Sequence, residues 1–229
     1  TVARSALGEG GSRWLPVRKP ALYAGDVFRT MALSQGIRLP AAQEIADLPD
    51  ATELARIESA PLDVLIGDML DYSTNITAEA LGLAASRSTG DAPTTLAESA
   101  GMMRAWARDA LGVNAHVVDH SGLGDGSSVS GVEMATALVS AARDGALVRL
   151  MKEIVLLDDR GEPLANPPAV VRAKTGTLNF VSALAGYVIA PGGRRLAFAI
   201  FTADAESRAE ARQSPDEIPP GTTTVDPWS

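Results

Sequence analysis

The sequence predicts an α/β domain in which an antiparallel sheet is flanked by helices, and three observations carry that prediction. Apolar residues recur at helical spacing through much of residues 20–142. Two helix starts there, Thr95-x-x-Glu98 and Ser130-x-x-Glu133, fit the capping box, in which side chains satisfy N–H groups that the helix leaves unpaired. From Val170 the pattern turns to β-prone segments rich in Val, Ile, Phe and Tyr, and Pro191-Gly192-Gly193 between two of them signals a hairpin.

Taken in order, residues 1–18 are rich in Gly, Arg and Pro without a sustained period, and read as a connector. Pro20 opens a helix carrying Leu22, Val27, Phe28, Met31 and Leu33, with Gly36 as its stop. Residues 37–60 read as surface loop or short strands. Pro61 precedes a second helix, Leu62 to Leu70, ending near Asp71–Tyr72, and a third starts at Ser73–Asn75 and runs through Glu79 to Leu83. The helices after Thr95 and Ser130 follow, the second stopping at Gly145, with the short β-prone stretch 115–118 and a turn-rich run 121–126 between them. Strands are predicted at Val170–Thr175, Ser182–Ala190 and Arg194–Thr202. Residues 204–229, acidic and rich in Pro and Thr, read as a loosely ordered tail.

Composition narrows the chemistry. The 229 residues hold 20 Lys+Arg against 28 Asp+Glu, a net charge of −8, and no basic run that would grip a phosphate backbone, which argues against a nucleic-acid partner. At 46% hydrophobic and 21% charged, the chain has a core to bury. No apolar run approaches the roughly 20 residues of a membrane-spanning helix. Cysteine is absent, which removes disulfides and thiol nucleophiles, and His116 and His120 stand without a carboxylate cluster at metal-loop spacing, so no metal site is expected. Thr1 opens no basic and apolar leader, so a signal for export would lie outside these residues.

Two short motifs carry chemistry. Lys174-Thr175-Gly176-Thr177 stands at the end of one β-prone segment: an ammonium, two hydroxyls and a residue without Cβ form an anion-receiving edge, or simply a turn. Ser73-Thr74-Asn75 offers a hydroxyl for proton relay and an amide that donates and accepts, or simply a helix cap. Together, S-x-N at a helix start and K-T-G on a strand are two of the three elements of the serine penicillin-recognising enzymes. The third, S-x-x-K, is missing: Lys19, Lys152 and Lys174 are preceded three places earlier by Pro16, Arg149 and Val171.

The stretches 18–25, 62–75 and Asp119-His120-Ser121-Gly122-Leu123, and above all Arg172–Leu178 continuing to Ala183–Val188, resemble the D-alanyl-D-alanine carboxypeptidases of the class C, type 4 penicillin-binding proteins. The resemblance spans roughly residues 18–203. It implies a penicillin-binding, β-lactamase-like domain with a helical lobe holding Ser73, of which residues 19–203 are the C-terminal part and 1–18 the end of an inserted domain. The domain would be incomplete, because in that family S-x-x-K lies near the mature N-terminus. The family's final helix has no clear counterpart after Ala205.

By the same resemblance, Ser73 relays a proton to the departing D-alanine nitrogen and Asn75 holds the substrate's amide carbonyl. Lys174 supplies positive potential, Thr175 and Thr177 bind the terminal carboxylate, Gly176 leaves room for the peptide, and the Thr177 N–H joins the oxyanion hole. Asp119 and Ser121 read as structural residues of a turn beside the cleft. The implied activity is a serine D-Ala-D-Ala carboxypeptidase, with endopeptidase action as an extension, working through an acyl-enzyme, inhibited by β-lactams and needing no cofactor. Its partners would be peptidoglycan peptides and the N-terminal part of the same protein carrying S-x-x-K, at an extracytoplasmic, free or membrane-associated location. A non-catalytic cell-wall-binding homologue and a β-lactamase-like hydrolase are the competing readings.

Overall fold

The computed structural model describes residues 17–47, 52–90, 92–124, 126–143, 145–178 and 180–213. The predicted connector 1–18 thus falls almost wholly outside the described residues, as does the tail beyond 213. The chain divides into two units, Thr1–Glu58 and Ser59–Ser229.

The first unit is built on helix α1, Pro20–Ser34, with Pro20 in its first turn, where its missing N–H costs no bond. Gly36, at φ +79, follows the helix end. No residue of α1 is buried. The extended segment that follows crosses the helix at Gly25, where a Cβ would stand 2.5 Å from that of Ala42.

The second unit holds α2 (Leu62–Tyr72), α3 (Asn75–Ser88), α4 (Leu96–Trp106) continuing into a π turn at Ala107–Leu111, α5 (Gly131–Ala141) and α6 (Ala146–Leu150). Strands β1 (Glu153–Ile154), β2 (Val170–Leu178), β3 (Val181–Ile189) and β4 (Arg195–Ala203) form one antiparallel sheet in chain order. Helix α5 packs on β4 and β3. The core lies between them: Leu138, Val148, Met151 and Tyr187 are buried together, ringed by Leu70, Met134, Ala185 and Ala197. Tyr187 is 1% exposed, and its hydroxyl donates to the Leu138 carbonyl at 2.7 Å, tying β3 to α5. Burial raises its phenol above the ordinary value, against a smaller opposing pull from Arg195.

The capping predictions differ in detail. Ser130 and Glu133 exchange both bonds of a capping box. At α4 the Thr95 hydroxyl accepts from the Glu98 N–H at 3.2 Å, but the Glu98 carboxylate accepts from the N–H and hydroxyl of Thr94 instead of from Thr95. Helix α3 runs to Ser88, past the expected end at Leu83. Gly145, expected to stop the helix after Ser130, instead precedes α6 in the left-handed region at φ +73. The tail prediction is corrected at its start: residues 205–213 form helix α7, Ala205–Gln213. Its Ala, Glu and Arg residues favour helix, and the Asp204 carboxylate accepts from the Ser207 N–H at 3.0 Å at its entry.

The Lys-Thr-Gly motif sits inside β2 and not at a strand end. Strands β2 and β3 pair continuously from Val170↔Ile189 to Leu178↔Val181, which carries the ladder past residue 175. Gly186, opposite Ala173, permits this close approach: a Cβ there would meet the Arg172 carbonyl oxygen at 2.2 Å and the Ala173 Cα at 2.5 Å.

Candidate active site

Helix α2 ends where Ser73 takes a left-handed conformation, φ 53 and ψ 45. Glycine is the usual residue at such a helix end, and a side chain there costs about 1 kcal/mol or more. What serine adds over glycine is a hydroxyl, and that hydroxyl is used. The Lys174 ammonium, projecting from β2, donates to Ser73 Oγ, bridging two segments 101 residues apart. The same ammonium donates to the Thr175 carbonyl at 2.6 Å. Partial burial, reinforced by the nearby Lys152 charge, lowers the Lys174 pKa from the ordinary lysine value. The Ser73 hydroxyl and the Lys174 ammonium thus stand within hydrogen-bond reach of each other, the geometry that a proton transfer between them requires.

Asn75 opens α3 two residues beyond Ser73 and is exposed. Thr175, Gly176 and Thr177 are exposed along β2. Strand alternation places Lys174 and Gly176 on one face and the two threonines on the other. Strand β1 covers the outer edge of β2 only at Val171 and Arg172. From Lys174 to Leu178 no strand among the described residues pairs with that edge, so apart from the Thr175 carbonyl, which accepts from the Lys174 ammonium, its backbone groups have no strand partner and could meet an extended peptide. A Cβ on Gly176 would touch only the Ala183 Cβ, at 3.4 Å, so glycine here opens the site more than it serves the packing.

The remaining sequence candidates lie one step back. Asp119 closes its own turn, its carboxylate accepting from the N–H groups of Gly122 at 2.8 Å and Gly124. The Ser121 N–H donates to Glu79 of α3 at 3.0 Å. The two histidines part: His116 meets the Arg104 guanidinium at 3.1 Å, whereas His120 Nε2 lies 2.8 Å from Ser99 Oγ. Among the described residues no group of three or more potential metal ligands converges. A groove of about 640 Å³ between α2, α6 and the start of the sheet sets Asp63, Asp68 and Asp71 against Arg149, Lys152 and Arg172, and holds none of the predicted site residues. Sequence reasoning passed over Glu79, although it lies one helical turn after Asn75 on the same face.

Comparison with known proteins bears on the family and the fold. The chain is 31% identical over 209 residues to a carboxypeptidase of Mycobacterium tuberculosis, covering 82% of this chain and 43% of that one. It is 32% identical over 206 residues to a D-alanyl-D-alanine carboxypeptidase of Actinomadura sp. (strain R39), covering 80% and 37%. The chain therefore spans less than half the length of these curated relatives. Among solved structures, penicillin-binding protein 4 of Haemophilus influenzae in complex with a β-lactam superposes with a TM-score of 0.67 at 24% identity, covering 82% of this chain and 46% of that one; the likeness establishes a shared fold. The profile of one family matches residues 3–219, nearly the whole chain, and by that match the protein belongs to the D-Ala-D-Ala carboxypeptidase 3 (S13) family.

Proposed function

We propose that this chain is part of a serine D-Ala-D-Ala carboxypeptidase that acts on peptidoglycan stem peptides through an acyl-enzyme and is inhibited by β-lactams. The observation that carries the reading is the Lys174–Ser73 contact, which joins the K-T-G and S-x-N motifs into one proton path. The attacking serine and its lysine belong to an S-x-x-K segment outside these residues, packed against this unit in the complete protein. Residues 19–203 are then the C-terminal part of the penicillin-binding domain.

The roles are those that the family resemblance implies, and the Lys174–Ser73 contact supports that of Ser73. The nucleophile's oxygen bonds to the carbonyl carbon of the penultimate D-alanine. The C–N bond to the terminal D-alanine breaks, and the departing nitrogen takes its proton through Ser73 Oγ, backed by Lys174. The peptide lies along the open edge of β2, where the Thr177 N–H faces the developing oxyanion and Thr175 and Thr177 meet the terminal carboxylate. Asn75 holds the amide carbonyl. Water then cleaves the ester and restores the serine. When a cross-linking amide replaces the terminal D-alanine bond, the same steps give endopeptidase action. The substrate places the protein outside the cytoplasm.

Acylation by benzylpenicillin tests the proposal. In the complete protein, Lys174→Ala is expected to slow it by about 100-fold, the usual contribution of a positioned proton-transfer group. Unchanged acylation refutes the proposed role of Lys174. A parent protein that binds peptidoglycan and never acylates is a cell-wall-binding homologue instead, and rapid hydrolysis of the acyl group marks a β-lactamase-like enzyme.

A further inference from the structure

We infer that Glu79 is a positioning residue for this site, fixing the 119–122 turn against α3 and thereby the first turn of α3 that presents Asn75. The inference rests on the function proposed above. Asn75, Glu79, Gly82 and Ser86 are spaced four, three and four residues apart, which makes them one stripe along α3. The turn lies along that stripe. Near Asn75, the Glu79 carboxylate accepts from the His120 N–H at 3.3 and 3.2 Å to its two oxygens, and from the Ser121 N–H at 3.0 Å.

One turn further, the His120 ring fills the space over Gly82, where a Cβ would stand 2.1 Å from Cγ. Ser99 Oγ holds the His120 ring from α4, and lies 2.7 Å from Ser86 Oγ. Asp119 meanwhile shapes the turn internally, through Gly122 and Gly124. Asp119 therefore sets the form of the turn, His120 anchors its far side, and among the described residues Glu79 ties it to the end of the stripe where Asn75 sits.

The charge state of Glu79 agrees. Burial works to raise its pKa, but the Ser121 hydroxyl, the two backbone N–H groups and the field of His120 outweigh that and hold it below the usual glutamate value. The carboxylate is thus ionised at neutral pH, as three donors require.

The test compares Glu79→Gln and Glu79→Ala with Glu133→Gln in the complete protein. Glu133→Gln weakens a similar carboxylate-to-backbone link, in the cap of α5. Glu79→Gln is expected to slow penicillin acylation about 10-fold and Glu79→Ala up to about 100-fold, the penalty for a reacting group displaced by roughly 1 Å. Glu133→Gln should acylate at the parent rate. Equal acylation by the parent and both Glu79 variants, or equal slowing by Glu133→Gln, overturns the inference. Amide hydrogen exchange supplies a reading independent of catalysis. Glu79→Gln should speed exchange at His120 and Ser121 and in the first exchanging turn of α3, and Glu133→Gln should not; unchanged protection there also overturns it. A parent that shows this exchange pattern but takes up no penicillin supports the positioning role and refutes the functional reading beneath it.

Discussion

Replacing Gly82 by alanine would create a conflict that the structure places on a single side chain. The new Cβ would stand 2.1, 2.3 and 2.4 Å from Cγ, Nδ1 and Cδ2 of His120. The imidazole must leave, and with it the 2.8 Å contact to Ser99 Oγ, whose residue is 0% exposed. Overpacking of this kind costs about 1–3 kcal/mol, and loss of the part-buried hydrogen bond about 1 kcal/mol more. Against these, exchanging glycine for alanine within a helix favours folding by about 1 kcal/mol. The net expectation is a destabilisation of about 1–3 kcal/mol. With His120→Ala as background the clash and the bond are both gone, and only the helix preference remains. Gly82→Ala should then stabilise, by up to about 1 kcal/mol. Urea unfolding of the four proteins of this double-mutant cycle in the complete protein measures the coupling, and the reversal of sign is its signature. A Gly82→Ala effect of the same sign in both backgrounds refutes the packing described for His120.

Two further outcomes follow from the site. Gly176→Ala meets only the Ala183 Cβ, so it should leave the unfolding free energy within about 0.5 kcal/mol of the parent while slowing acylation, because the methyl group occupies the open strand; a large stability loss with unchanged acylation contradicts this. The lowered pKa of Glu79 has a definite pH consequence: its stabilisation is fully present above the unfolded glutamate value of about 4.3 and is lost as pH falls through the lower folded value. The stability gap between the parent and Glu79→Gln should therefore narrow with acidification below that point, and a gap that widens there refutes the assigned sign.

The legible parts of this chain were those written in local chemistry. Pro191-Gly192-Gly193 marked the β3–β4 turn, and Gly193 adopts the φ of +79 that such a turn uses. The Ser130–Glu133 box is complete. Ser73 and Lys174 were legible as a pair because two motifs in order are far more specific than either alone, and the structure brings their side chains together. Helix α6 and strand β1, five and two residues long, are too short for a period to declare itself. Helix α7 went unread because its polar composition resembled a tail, while its stability comes from propensity and the Asp204 cap. Glu79 was hidden for another reason: its partners are 41 and 42 residues away, and no local pattern announces a carboxylate that binds backbone donors of a distant turn.

Under the function proposed above, this chain completes an acyl-enzyme site whose nucleophile lies elsewhere in the protein. Intact mass of the complete protein with and without benzylpenicillin, followed by mapping of the modified peptide, tests it most directly. One penicillin per protein is expected, on a serine outside these 229 residues. An adduct on Ser73 or any other serine of this chain contradicts the roles assigned here, and no adduct at all contradicts the acyl-enzyme itself.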